Sequence, residues 1–465
     1  MTKPDASPGR VSAGVWGPQY VWVTIGAVAM IFLAALQALA VTTVMTVVSD
    51  DLDGASLYAV AFAGTLATSV IGMVAVGAWS DRRGPVLPLA TSVALFVAGL
   101  VIAGSAGDMA TLVVGRLVQG LGTGGQTVAL YVVVARVYPP HLHGRVFAAF
   151  SAAWVIPSLV GPALAGAVAQ YLHWRWVFLG VAALTMIAFA MVYTRLHSLS
   201  LHTAEPSRVP VGARLGWASL VAAGALALSL AGEAGTWAPV VVVGAVVLIG
   251  VAARPLLPPG TLTVRRGLPS VILMRGIIAG ALFGAEIYVP YLLISEYGFS
   301  PVWAGLGLTT AAVLWAVGAD LQGRFGDRLG NRRIVLLGTA QLAAATLLAT
   351  ATAVFALPAG VLIAGWALAG GGMGLMYPRL TVLTLAYSTP IDQGFNSSAL
   401  SISDSIGASA AIATMGLLFV ALDATDAGYP AVFLLATALA AFGLVPGLRM
   451  GHGHGHGSLR AATSI

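Results

Sequence analysis

The sequence predicts an all-α integral membrane protein: two pseudo-symmetric six-helix bundles with two additional central transmembrane helices, 14 spans in all. Three observations carry this prediction. Of 465 residues, 58% are hydrophobic and only 8% charged, too few polar groups to cover a soluble globule of this size, so lipid is the main solvent. Apolar runs recur along almost the whole chain at the length a helix needs to cross a hydrocarbon core, about 20 residues. One short motif also occurs twice between such runs, as Gly77-Ala-Trp-Ser-Asp81-Arg82-Arg83-Gly84 and as Gly323-Arg-Phe-Gly-Asp327-Arg328-Leu-Gly330, 246 residues apart, which implies a duplicated bundle.

In order, the spans are expected near 21–48, 56–79, 86–106, 109–137, 145–170, 175–195, 215–232, 237–253, 268–294, 301–322, 334–355, 357–387, 395–421 and 429–448. They are continuously apolar rather than alternating, which favours helices, each satisfying its own backbone, over a membrane barrel. Within the first, Ala38-Leu-Ala40 imitates a signal-peptidase site, but the apolar run continues to Val48 and cleavage would leave half a helix. Spans two and three flank the first motif copy, and spans ten and eleven the second. The fourth and twelfth repeat each other at an offset of 250, Gly115, Gly120, Gly122 and Gly124 against Gly365, Gly370, Gly372 and Gly374. The same offset pairs Gly144 with Gly394 and Trp154 with Asp404. The expected organisation is an N-terminal segment 1–20, a first bundle 21–197, a central region 198–266 holding two extra spans, a second bundle 267–449, and a His/Gly tail 450–465.

Lys and Arg accumulate in cytoplasmic loops. One set of loops carries Lys3, Arg10, Arg82, Arg83, Arg136, Arg145, Arg195, Arg208, Arg214, Arg254, Arg265, Arg266, Arg324, Arg328, Arg332, Arg333 and Arg449. The other carries Asp50, Asp51, Asp53, Asp108, Glu233, Glu296, Asp423 and Asp426, with Arg175 the basic exception. Both termini are therefore expected in the cytoplasm, and the net charge of +6 reflects topology rather than nucleic-acid binding. Cysteine is absent, so no disulfide or thiol chemistry enters. One lysine against many arginines, with heavy Ala and Gly use, suggests a GC-rich bacterial genome and hence a bacterial inner (plasma) membrane.

The duplicated Gly-x-x-x-Asp-Arg-x-Gly sequence resembles motif A of the major facilitator superfamily. In the fourth span, Arg116-x-x-Gln119-Gly120 looks like its motif B. In the fifth, Pro157 and Gly161-Pro162-x-x-x-Gly166, followed by Trp174-Arg175-Trp176-x-Phe178, resemble motif C, the antiporter motif. Pro157 and Ala165 stand where that family usually has glycine. Two helices inserted between the halves are similar to the fourteen-helix drug/proton antiporter group. The resemblance implies a gate at Gly77, Asp81, Arg82, Gly84, Gly323, Asp327, Arg328 and Gly330, a role for Arg116 in proton transfer or in holding a transport acid, and exchange as the transport mode. For the gate a physical reason exists: the Asp81 carboxylate can face a helix N-terminus or a nearby arginine and pin the halves in one state. In motif C, small residues permit close helix approach and the prolines are expected to kink the helix.

The group commonly carries an acid in the first span; here Thr43-Val-Met-Thr46 follows Ala40 and Val41. Glu286 instead lies 246 residues after Ala40, at the pseudo-equivalent place in the other half. Intramembrane acids are functional candidates by default, and a carboxyl in the membrane can exchange a proton without a catalytic partner. Asp404, about ten residues or roughly 15 Å into its span, is the second candidate. Arg275 and Asp320 are read as snorkelling toward the basic end. Gln37, Gln126, Tyr131, Trp154, Phe283, Tyr288, Trp315, Trp366 and Tyr377 are the polar or aromatic residues expected to reach a central cavity and attract lipophilic or cationic compounds.

The expected function is proton-coupled export of lipophilic small molecules or drugs, cationic or neutral, by alternating access, from a monomer in the lipid bilayer, with no cofactor, no metal and no catalytic residues. Export of a lipid or metabolite, or proton symport, is the alternative. A polytopic enzyme or a receptor is the remote one, since an enzyme should present polar catalytic clusters at a membrane face. There is no Walker sequence for ATP coupling, and no repeated selectivity sequence for a channel. Three histidines in Gly451-His-Gly-His-Gly-His-Gly457 are read as a solvated tail, although three imidazoles on a flexible chain can converge on a metal.

Overall fold

The computed structural model describes residues 14–54, 57–197, 211–422 and 427–450. The His/Gly tail, residues 198–210 with Arg208, and Lys3, Arg10, Asp423 and Asp426 lie outside the described residues. Among the described residues, fourteen segments are long and apolar enough to cross a membrane. The first bundle is α1 (Val21–Asp51), α2 (Tyr58–Arg83), α3 (Val86–Gly104), α4 (Met109–Val137), α5 (Pro140–Tyr171) and α6 (Arg175–Leu196). The inserted pair is α7 (Val211–Ser229) and α8 (Ala238–Ala253), joined by a 3-10 segment Ala231–Trp237. The second bundle is α9 (Leu268–Glu286), α10 (Tyr288–Ser295), α11 (Pro301–Leu329), α12 (Asn331–Phe355), α13 (Ala359–Ala386), α14 (Gln393–Leu422) and α15 (Gly428–Arg449).

Helices α9 and α10 are one span. Pro290 has no N–H to offer the Glu286 carbonyl, so the ladder is interrupted at Ile287 although its φ and ψ, −61° and −34°, stay helical. The duplicated motif is not a loop as expected. Helix α2 continues through Arg83 and α11 through Leu329, and only Gly84 and Gly330, at φ 81° and 83°, reverse the chain, a conformation glycine adopts at little cost. Asp81 and Asp327 therefore project from helices.

The repeat seen in the sequence is a repeat in packing. A Cβ on Gly124 of α4 would fall onto the Ser69 carbonyl of α2, and one on Gly374 of α13 onto the Trp315 carbonyl of α11. The corresponding helix pairs thus meet backbone to backbone in both bundles, the close approach small residues permit in lipid. Each bundle has its own apolar core, one around Phe96, Leu130 and Phe178 and the other around Met274, Trp366 and Phe433. A third core joins Val70, Met73 and Val74 of α2, Ala218 and Val221 of α7, Ala245 and Ile249 of α8, and Ala399 and Leu400 of α14. The inserted pair therefore touches both bundles.

One end of the molecule is acidic. There Arg175, the basic exception, lies 3.6 Å from Asp51 and donates to the Ala106 carbonyl at 2.8 Å. The Trp174 indole donates to Asp51 at 2.9 Å, so the guanidinium ties α1, the α3–α4 turn and α6 together. Asp108 caps α4, accepting from the Thr111 N–H at 2.8 Å and its hydroxyl at 2.9 Å; these bonds hold its carboxyl below the ordinary value.

Candidate functional site

The bonds that join the two bundles gather at the opposite, basic end. Asp81 accepts hydrogen bonds from the backbone N–H groups of Gly394, at 2.6 Å, and Phe395, at 2.9 Å, in the first turn of α14. A carboxylate on a helix N-terminus is stabilised by charge-assisted bonds and by the helix dipole. Arg136 of α4 reinforces the contact, donating to the Ser80 carbonyl at 3.2 Å, the Pro390 carbonyl at 3.1 Å and the Gln393 amide oxygen at 3.4 Å. Arg136 stands 55 residues beyond Asp81 in sequence, and only its place among the loop charges was legible. The pseudo-symmetric contact is uncharged: Gln322 of α11 donates to the Gly144 carbonyl of α5 at 3.0 Å. Asp327 does not cross to the other bundle. It pairs with Arg379 of α13 at 2.9 Å, and Arg379 also donates to Asn331 at 2.6 Å. Arg328, a gate residue by resemblance, and Arg332 and Arg333, which follow the second copy, are exposed.

Gly77 and Gly394 face each other across this seam. A Cβ on Gly77 would lie 2.5 Å from the Gly394 carbonyl oxygen, and one on Gly394 closer still to the Gly77 oxygen. Gly394→Ala is expected to part the seam, at a cost of about 1–3 kcal/mol, and to raise accessibility of cysteines introduced along it to a membrane-impermeant thiol reagent. Unchanged labelling would mean that the seam absorbs the methyl group.

Deeper in the second bundle is a buried ionic cluster. The Arg275 guanidinium, from α9, donates to Asp404 of α14 at 2.8 Å, to the Tyr377 carbonyl of α13 at 2.9 Å and to the Thr381 hydroxyl at 3.2 Å. The Tyr377 hydroxyl donates to the second Asp404 oxygen at 2.8 Å, and the guanidinium carbon sits 3.1 Å from the Tyr377 ring centroid. Trp315 packs edge-on to Tyr377 at 5.4 Å, and Tyr131, from the first bundle, is close enough to feel both charges. Arg275 does not snorkel, correcting the expectation: its side chain is 3% exposed against 22% for Asp404. Asp320 is exposed as expected and pairs with Arg324 at 2.9 Å.

Glu286 ends α9, half-buried. Among the described residues no hydrogen bond or ion pair engages its carboxyl. It stands eleven residues beyond Arg275, about three turns and roughly 16 Å along the helix on the same face. Arg116 is buried and donates to Gln119 at 2.7 Å and to the Ala61 carbonyl at 3.3 Å; among the described residues no carboxylate pairs with it. Gly161 of α5 lies over Leu36 and Leu39 of α1, Pro157 is buried, and Gly166 has open space where a Cβ would stand. Helix α5 runs without interruption through Pro157 and Pro162.

The aromatic and amide candidates divide. Tyr131, Phe283, Trp315 and Tyr377 are partly buried between elements, and Trp154 is exposed. Trp366 does not line a cavity: it is 1% exposed in the core of the second bundle, its indole N–H without a partner among the described residues. Tyr288 is likewise buried, turned onto Phe419 with ring centroids 5.0 Å apart, because the face of α9–α10 that carries Gly280 and Gly284 packs on α14. Gln37 and Gln126 are enclosed. Gln126 donates to the Met30 carbonyl at 3.3 Å, and the Gln37 amide makes no hydrogen bond among the described residues.

The family model described as Major Facilitator Superfamily matches residues 25–319, more than half of the chain. An uncharacterized transporter of Schizosaccharomyces pombe (strain 972 / ATCC 24843) is 36% identical over 155 residues, 33% of this chain and 26% of that protein, so the chain spans about a quarter of that relative's length. The Multidrug efflux pump SdrM of Staphylococcus aureus (strain N315) is 23% identical over 405 residues, 85% of this chain and 89% of the pump. Among solved structures, a bacterial homologue of iron transporter ferroportin in outward-facing state superposes with a TM-score of 0.70 at 10% identity, over 92% of this chain and 98% of that one; at this identity the likeness concerns the fold.

Proposed function

This chain belongs to the Major Facilitator Superfamily, and we propose on that premise that it is a proton-coupled secondary transporter, not an enzyme, which exports lipophilic, cationic small molecules by alternating access. The observation that carries the proposal is the contrast between its two intramembrane acids. Asp404 is neutralised by Arg275, whereas Glu286, on the same face of α9, has no compensating cation within salt-bridge distance among the described residues. A proton or a monovalent organic cation at Glu286 would each cancel that charge, and competition between them is the simplest basis for exchange. Partly buried Trp315 and Phe283 offer faces that attract cations.

Asp81 on the α14 N-terminus serves as the latch that closes the basic end. By the positive-inside rule that end, with both termini, lies in the cytoplasm. The state described is then closed inward. A bacterial plasma membrane and a monomer acting on small solutes and protons, with no nucleic-acid partner, complete the reading. The distant multidrug efflux relative supports the choice of cargo class. Symport, or export of one lipid or metabolite, is a second reading, favoured by Pro157 and Ala165 at positions where the antiporter motif usually has glycine.

The test is efflux from energised cells of fluorescent lipophilic cations and neutral dyes, with and without a protonophore. The expected outcome is protonophore-sensitive efflux of the cations. Efflux of none of the dyes would transfer the assignment to a dedicated lipid or metabolite.

A further inference from the structure

The two inserted helices are extra to the two six-helix bundles, and one of their side chains reaches the latch. Arg214, in the first turn of α7, places its guanidinium carbon 4.0 Å from the centroid of the Phe395 ring. The backbone N–H of Phe395 is one of the two donors to Asp81. Val74 and Ala78 of α2, Arg214, Leu256 just after α8, and Phe395 and Ser398 of α14 enclose a seam with no room for a water molecule. Arg214 makes no salt bridge among the described residues, yet its charge acts on Asp81, with Arg82 nearby. Behind this point α7 packs on α2 through Ala218 and Val221.

We propose that Arg214 is a positioning residue for the latch: by clamping Phe395 from an inserted helix that rides on the first bundle, it holds the α14 N-terminus where Asp81 accepts its N–H groups. The proposal rests on the alternating-access reading above. Opening the basic end requires α2 and α14 to separate. Because α7 is packed against α2, separation pulls the guanidinium off the Phe395 ring, so the contact exists only in the closed state and favours it. The inserted pair thereby acts as a strap across the gate, fastened where both of its ends, Arg214 and Leu256, meet α14.

The test is a distance measurement between spin labels in the full-length protein. The chain has no cysteine, so Leu87→Cys on α3 and Arg332→Cys on α12, both exposed near the basic end of opposite bundles, label without background. In lipid nanodiscs, Arg214→Gln and Phe395→Leu are each expected to raise the population at the longer distance about threefold or more. Arg214→Lys, which keeps the charge but loses the planar fork, should fall between, and the double variant Arg214→Gln/Phe395→Leu should match the singles because one contact is lost in each. Unchanged distributions in both singles, or additive shifts in the double, would overturn the proposal. Melting temperatures separate a gate effect from unfolding, and if Arg214→Gln fails to fold, Phe395→Leu carries the test. A wild type showing one distance at every pH and dye concentration would instead refute alternating access itself, and the strap with it.

Discussion

Glu286→Gln is expected to reduce protonophore-sensitive efflux to the level of de-energised cells while leaving membrane insertion and melting temperature unchanged. The amide has nearly the shape of the carboxyl it replaces. No hydrogen bond or ion pair among the described residues engages Glu286, so the substitution breaks none and its effect on stability should stay within about 0.5 kcal/mol. What it removes is the ability to alternate between a charged and a neutral state. Asp404 is committed to Arg275 and Tyr377, and Arg116 to Gln119 and Ala61. Exchange of labelled substrate across the membrane without a proton gradient should weaken for cations, which lose the charge they compete for at Glu286, and persist for neutral dyes, because the latch and the helix seams are untouched. Driven efflux at the wild-type rate would remove Glu286 from the coupling mechanism and leave the Arg275–Asp404 pair as the remaining candidate. Cation exchange at the wild-type rate in the variant would remove Glu286 from cation binding and leave it proton transfer alone.

What could be read in advance divides along a physical line. Span number and approximate limits were legible because about 20 consecutive apolar residues have few alternatives in lipid, and the glycine repeat of α4 and α13 was legible because close backbone approach allows no Cβ. Glu286 and Asp404 stood out as acids in apolar runs, and the helix N-terminus was one of two partners anticipated for Asp81. Pairing in space was not legible. Arg275 and Asp404 are 129 residues apart and Asp81 and Gly394 are 313 apart, and no local pattern reports which turn of one helix meets which turn of another. Helices that are apolar on every side also conceal which face is core. The cavity that the sequence leads one to expect for Trp366 and Tyr288 is therefore one that they do not line. One signal for Arg275 was available: it lies seven residues inside α9, about 10 Å from its start, a long reach for a snorkelling side chain. The inserted pair showed itself by hydrophobicity, but the role of Arg214 depends on the position of Phe395, 181 residues away.

The buried pair should respond unequally to loss of its two members. Asp404→Asn leaves the Arg275 guanidinium, 3% exposed, with only neutral acceptors, the new amide oxygen and those of Tyr377 and Thr381, and removing the countercharge of a buried pair is costly because the other charge stays behind. The expected destabilisation is about 3 kcal/mol, at the low end for such pairs because Asp404 is itself partly hydrated. Arg275→Met should cost less, about 1–2 kcal/mol, since the abandoned carboxylate keeps the Tyr377 hydroxyl and reaches some water. Arg275→Met/Asp404→Leu should be more stable than Asp404→Asn alone, because no uncompensated charge remains and apolar side chains can fill the site. Thermal unfolding of the purified variants in one detergent orders the three, and an Arg275→Met protein less stable than Asp404→Asn would contradict the exposure-based asymmetry. The same double variant separates architecture from transport. If it folds and still drives efflux, the pair is structural and Glu286 alone carries the coupling. If it folds but no longer drives efflux, the charges beside Tyr131 lie on the transport path, and the contact of the two bundles at that level becomes part of the cycle.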